Sequence, residues 1–156
     1  MTIRALVLIL LALSIAPSTS MAESLTTSPE DIYQRMAVIE RVPPAQRNNA
    51  QLVQLGRDYR STGRLEDALA QAQAALAKQP DDSDALLLLG DLQFQRAEYA
   101  RALATFNRVA QLRPGRAEVQ LRRSQALSAM GKSREAEAAN GLYLNMRGRQ
   151  SVSPQR

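Results

Sequence analysis

Two adjacent carboxylate pairs, Glu66-Asp67 and Asp81-Asp82, are the residues best spaced for acid–base chemistry. In such a pair one carboxyl donates a proton while its neighbour accepts one. Both pairs fall at helix starts or turns, however, where binding free backbone N–H groups explains them without catalysis. Histidine is absent, which removes the commonest general base and the commonest metal ligand. Cysteine is absent too, so disulfides, thiolate nucleophiles and Cys-based zinc sites are excluded. The sequence therefore predicts no enzyme, no cofactor and no metal.

The remaining polar chemistry is charge. The chain of 156 residues carries a formal +5, unevenly spread. From Glu23 to Leu112, 10 basic and 12 acidic residues give −2; from Arg113 to Arg156, 9 basic and 3 acidic residues give +6. Arg113, Arg116, Arg122, Arg123, Arg147 and Arg149 form a candidate basic C-terminal patch. Such a patch suits an acidic partner, an anionic membrane surface or an anionic polymer. A solvated basic face with no ligand is the competing reading. Nucleic acid is not expected, because aromatics are only 4% of residues and stacking platforms are lacking.

Met1 to Ala22 reads as a secretory signal peptide: Arg4 in the n-region, an apolar core from Ala5 to Ala16, and the small residues Ser20 and Ala22 flanking Met21. The apolar core is too short for a membrane span, which needs about 20 residues. The sequence predicts cleavage after Ala22, a periplasmic or secreted mature chain, and no transmembrane span in it. Residues 23–47 are a linker and an N-terminal capping helix. Ser28 is its N-cap candidate, Pro29 suits its first position, and Ile32, Met36 and Ile39 share a stripe. Pro43-Pro44 ends it.

The body of the chain, residues 48–147, is a repeat. A shift of 34 residues lays Leu52 on Leu86, Leu55-Gly56 on Leu89-Gly90, Ala68 on Ala102 and Pro80 on Pro114. A second shift brings Ala68 to Ala136 and Gly63 to Gly131. A period this long means stacked helix pairs. The repeats run over about 49–82, 83–116 and 117–147. Gly56 and Gly90 are expected opposite Ala68 and Ala102, where paired helices approach most closely. Gly63 and Gly131 turn the chain, and Ala97 at the matching position implies a turn that needs no positive backbone angle. The third repeat is worn: Gln120 and Arg123 stand where repeat one has Leu52 and Leu55, and Ser124 replaces the glycine. The last helix is expected to end at Met146, with residues 148–156 a disordered tail.

The positions Leu52, Leu55-Gly56, Tyr59, Ala68, Ala75 and Pro80, and then Leu86, Leu89-Gly90, Ala102, Phe106 and Pro114, resemble the tetratricopeptide repeat (TPR) family. Gly131 and Ala136 carry the frame into the third repeat. The family's initial Trp is Leu in both good repeats, and its later aromatic is Ala72 in repeat one and Asn140 in repeat three. The resemblance implies an all-α fold: a right-handed α-solenoid of antiparallel helix pairs, about three repeats plus an N-terminal capping helix. It also implies a concave groove, lined by the first helix of each pair, that holds a partner's peptide or helix.

In that frame the groove positions are Val53, Arg57, Arg60, Leu87, Asp91, Phe94, Leu121 and Gln125. Val53, Leu87, Phe94 and Leu121 suggest an apolar strip for an amphipathic helix or apolar segment, with Arg57, Arg60 and Asp91 setting its orientation. Packing against neighbouring helices is the competing reading for Leu87 and Leu121. Some family members clamp a peptide's terminal carboxylate with Lys, Asn and Arg. The matching positions here, Val53/Arg57, Leu87/Asp91 and Leu121/Gln125, do not reproduce that set. The function implied is an exported scaffold or adaptor within a bacterial cell-envelope assembly, such as a pilus, secretion or outer-membrane complex. Binding of an anionic polymer or membrane surface through the basic end is the alternative. Leu142, Tyr143, Leu144 and Met146 leave apolar surface at the last helix, which points to self-association or a protein partner at that end.

Overall fold

The computed structural model describes residues 28–151. The signal-peptide reading of Met1 to Ala22 lies outside them, as do residues 152–156. Among the described residues seven α-helices succeed one another: α1 (Pro29–Glu40), α2 (Asn49–Ser61), α3 (Leu65–Lys78), α4 (Ser83–Gln95), α5 (Tyr99–Leu112), α6 (Ala117–Ala129) and α7 (Ser133–Ser151). One 3₁₀ turn, Pro44–Gln46, joins α1 to α2. No strand occurs among the described residues.

Local chemistry sets the helix starts. Ser28 and Asp31 form a reciprocal capping box on α1, with bonds of 3.2 and 3.0 Å. Asn48 and Gln51 form another on α2, both bonds 2.9 Å. Asp82 caps α4 by accepting from the backbone N–H groups of Asp84 and Ala85. The second helices α3 and α5 end at Lys78 and Leu112, two residues before Pro80 and Pro114. Each proline forces its predecessor out of helical geometry.

The helices pair as α2–α3, α4–α5 and α6–α7, and successive pairs stack through α3–α4 and α5–α6. The first helices also touch, α2 on α4 and α4 on α6, while the second helices make no contact of that extent with one another. The result is an α-solenoid with α2, α4 and α6 along its inner side. Its core is continuous but thins toward the C-terminus. Leu55, Tyr59, Ala68 and Ala72 pack with Leu88 and Leu92 of the next repeat. Leu86, Leu87, Phe106 and Val109 pack with Val119 and Ala126 of the third. Beyond them, among the described residues, only Leu127, Ala136 and Ala139 form a cluster.

The glycines of the frame sit at helix crossings. A Cβ on Gly56 would meet Leu88 Cδ2 at 2.6 Å and the Ala68 carbonyl oxygen at 3.3 Å. A Cβ on Gly90 would lie 2.4 Å from the Phe106 ring. The space at Gly90 is thus taken by the aromatic itself. In repeat three Ser124 fits the same slot because its hydroxyl donates to the Ala136 carbonyl at 2.8 Å. Gln120 is buried and accepts from Arg123, which also donates to Asn107 of α5, both at 2.7 Å. The worn positions therefore satisfy one another's polar groups.

Two sequence expectations are corrected. Ala97 has φ 59°, in the same left-handed region as Gly63 at 79° and Gly131 at 75°. The turn geometry is common to all three repeats, and the backbone of Ala97 obeys it despite its Cβ. The last helix continues past Met146 to Ser151, so Gly148 to Ser151 are helical. No proline or capping residue stops it there, and Arg147 stacks on Tyr143 one turn earlier and donates to its hydroxyl. The outer face of α7 is partly polar. In the 34-residue frame Glu137 and Asn140 stand where α5 has Leu103 and Phe106, and both are exposed. Leu142 and Leu144 remain half exposed, at 51% and 59%.

The helix α1 covers the open side of the first pair. Met36 and Ile39 join the cluster of Leu55 and Tyr59. The Arg35 guanidinium grips the buried Asp58 carboxylate with two bonds, 2.9 and 2.6 Å, and the Tyr59 hydroxyl donates to Glu40. Arg47 is buried and donates to the carbonyls of Val42 and Glu40, closing the end of α1.

Candidate functional site

The inner side of the solenoid is charged where the groove frame predicts an apolar strip. Val53 and Leu87 are 3% and 4% exposed and belong to the core. Leu87 is therefore a packing residue. Only Phe94 and Leu121 of the strip are partly open, and Phe94 rests edge-on against Tyr99 at 5.2 Å between centroids. Val53 packs against Ala75 and Ala85, and Leu87 joins the cluster of Phe106 and Val119, whereas Arg57, Arg60 and Asp91, further along the same helical stripes, reach the trough.

Those side chains form one connected series of ion pairs across three helices. Arg57 of α2 donates to Asp84 of α4 at 3.0 Å, and Asp84 also accepts from Arg116, the residue that precedes α6, at 3.0 Å. Arg116 contacts Glu118 at 3.4 Å, and Glu118 contacts Arg122 at 3.5 Å. The Nε of Arg122 lies 2.8 Å from Asp91 of α4, off the line of its N–H, and Asp91 also pairs with Arg60 of α2. Arg57, Arg60 and Asp91 thus line one stretch of the inner surface. Asp84 and Glu118 are absent from the sequence-derived groove residues. Their signal is present, since they occupy matched places one repeat apart, but their importance depends on Arg57 and Arg116 reaching them.

Two hollows open along this surface. A cleft of about 560 Å³ is lined by Arg60, Ser61, Asp91, Phe94, Gln95, Arg122 and Gln125. A more enclosed one of about 200 Å³ lies between Arg57 and Arg60 on one side and Arg116 and Arg122 on the other, over Leu87, Leu88, Asp91 and Glu118. A larger hollow, about 630 Å³, sits at the Arg113–Gly115 turn. It is shallow, and its Asp84 and Arg116 are already paired into the groove.

The basic C-terminal patch does not assemble. Arg116 and Arg122 lie in the trough against acidic partners, and Arg123 is bonded to Asn107 and Gln120 between α5 and α6. Arg113 is exposed at the α5–α6 turn, Arg147 is engaged with Tyr143, and Arg149 is exposed near the end of α7.

The carboxylate pairs are likewise separated in role. Asp67 accepts from Arg64 at 2.7 Å, and Glu66 pairs with Arg96 at 3.3 Å. Asp81 pairs with Arg108 at 2.6 Å. Burial pushes the Asp82 carboxyl upward, but bonds from Ala85, Asn49 and Asp84 outweigh it and hold the group below its ordinary value. Among the described residues no group of three or more acidic side chains is arranged to hold a metal ion, and no helix is long and apolar enough to cross a membrane.

Comparison with known proteins agrees with this architecture. A tetratricopeptide repeat family model matches residues 53–117. The human protein O-mannosyl-transferase TMTC1 is 36% identical over 87 residues, which is 55% of this chain. The match spans only 10% of that protein's length. Among solved structures, MamA superposes with a TM-score of 0.69 at 20% identity, covering 76% of this chain and 70% of that one. YrrB, a TPR protein with an unusual peptide-binding site, gives 0.67 at 18% identity, with 76% and 62% covered. The Yersinia enterocolitica type III secretion translocator chaperone SycD gives 0.60 at 23% identity, with 63% and 74% covered. At these identities the structural likeness is one of fold. Residues 53–117 match the tetratricopeptide repeat model, and the 34-residue frame and stacked helix pairs extend the same architecture on either side of that match.

Proposed function

We propose that the chain is a non-enzymatic binding module that holds a segment of a partner protein in the trough formed by α2, α4 and α6. The observation that carries this reading is the direct stacking of the three first helices. Stacking leaves one continuous, concave, water-facing surface with clefts deep enough for side chains. The adjacent carboxylates Glu66, Asp67, Asp81 and Asp82 are engaged in a helix cap and in local ion pairs, which supports the non-catalytic reading. The peptide-binding site of YrrB and the chaperone role of SycD are properties of proteins with this fold, and both suit a groove of this kind.

The finer reading is that the module is exported and serves a cell-envelope assembly. It rests on the composition of Met1 to Ala22. N-terminal sequencing of the protein recovered from cells tests it: a first residue of Glu23 supports export, and an intact Met1 in the cytoplasmic fraction counts against it.

Photo-crosslinking tests the groove. A photoreactive residue at Gln125, on the trough, is compared in living cells with one at Ala104, exposed on α5. A specific protein adduct from position 125 and none from 104 is expected. Adducts from position 104 alone would contradict the proposal.

A further inference from the structure

We infer that the occupant of the trough is an acidic peptide segment, whose Asp or Glu side chains enter the four-arginine hollow between α2 and α6. This rests on the groove reading above and assigns its ligand chemistry.

The first observation is a local imbalance. The charged groups lining the enclosed hollow are Arg57, Arg60, Arg116 and Arg122 against Asp91 and Glu118. Asp91 is largely covered, with a side chain 12% exposed, and it already bridges Arg60 and Arg122. Asp84, just outside the hollow, pairs with both Arg57 and Arg116, so four cations face three anions, although the stretch from Glu23 to Leu112 is acidic as a whole.

The second observation is the way these arginines are paired. A guanidinium presents five N–H donors in a planar fork that matches a carboxylate two-to-two. Arg35 uses its fork in this manner on Asp58, with bonds of 2.9 and 2.6 Å. No groove arginine does so. Arg57 makes one bond to Asp84, Arg60 one to Asp91, and Arg116 single contacts to two different carboxylates. Arg122 reaches Glu118 at 3.5 Å, the long limit of a hydrogen bond, and its Nε is turned away from a bonding line to Asp91. Each fork thus keeps donors for an incoming carboxylate while the protein's own acids hold the side chains upright.

The third observation concerns what the trough lacks. With Val53 and Leu87 buried, its apolar content falls to Phe94 and Leu121, too little for the broad face of an amphipathic helix. Phe94 floors the adjoining cleft beside Gln95 and Gln125, whose amides suit the backbone of an extended peptide.

The test is selection of a displayed random dodecapeptide library on the immobilised full chain, followed by fluorescence anisotropy on the recovered peptides. Peptides enriched in Asp and Glu are expected, with affinity falling about tenfold or more when their acids become Gln or Asn. The double variant Arg57→Gln, Arg116→Gln should lose that affinity. A control variant, Arg101→Gln with Arg108→Gln on α5, removes the same charge away from the trough and should keep it. Thermal unfolding of both variants establishes that they are folded. Recovered peptides without acidic enrichment whose binding is blocked by Gln125→Trp would overturn the acidic preference and leave the groove reading standing. Recovery of no peptide, or of peptides indifferent to every trough substitution, would overturn both. Displacement by inorganic phosphate as effective as by acidic peptide, at matched ionic strength, would reduce the hollow to a simple anion site and overturn the peptide claim.

Discussion

At Ala97 a methyl group is held where the backbone favours glycine. Its φ of 59° places the Cβ against the neighbouring carbonyl, at a cost of about 1 kcal/mol. Ala97→Gly is expected to stabilise the chain by about 0.5–1 kcal/mol, part of the gain being offset by the looser unfolded chain. Urea unfolding measures it, and a destabilised variant would refute the account. The glycines give a graded series in the opposite direction. Gly90→Ala drives a methyl into the Phe106 ring and should cost about 2–3 kcal/mol. Gly56→Ala meets the mobile end of Leu88 as well as a backbone oxygen, so its cost should be smaller. Gly115→Ala meets nothing within 4 Å and should be nearly neutral. The same unfolding experiment reads the order, and any other ranking would remove the packing explanation. The frame of small residues was legible in the sequence because close approach admits so few side chains. The strain at Ala97 was not, because an alanine alone gives no sign that the turn overrules it.

At the scale of elements, caps and prolines determine where helices begin and end, and these signals are local. Ser28, Asn48 and Asp82 each cap the helix that follows. Asp82→Ala should cost about 1 kcal/mol. Its carboxyl is held below the ordinary value of about 3.9, so its stabilisation is complete above that pH and is lost as pH falls through the folded-state value. The stability difference between the natural chain and Asp82→Asn should therefore shrink between pH 7 and pH 3. Urea titrations at the two pH values check this, and a constant difference would contradict it. The helix α7 outruns the expected end at Met146 because no stop signal stands there; the proline that can mark a helix end, Pro154, comes three residues after Ser151. Gly141 sits inside the helix, and the helix continues through Gly148 with no stop signal.

For the whole molecule, stability is close to a sum of neighbour contacts, since each pair touches only the pairs beside it. The pairs are not equal. The first two share large residues across their boundary, whereas among the described residues of α7 only Ala136 and Ala139 are buried. Native-state amide exchange is expected to show least protection in the part of α7 beyond Asn140 and most in α2 to α5. Uniform protection through α7 would mean that something else covers that end.

The helical class, the period, the helix pairs and most of the caps could all be read from residue order. They follow from periodicity and short-range sterics, which act between residues near in the chain or at equal heights in successive repeats. The character of the trough could not. Whether Val53 and Leu87 face a guest or the core depends on which neighbouring side chains the stack lays against them. Whether Arg116 and Arg122 belong to a basic patch or to a charged lattice depends on carboxylates 31 or 32 residues away in the chain. Contacts at that separation are set by how the pairs lean on one another, and no local pattern encodes the lean.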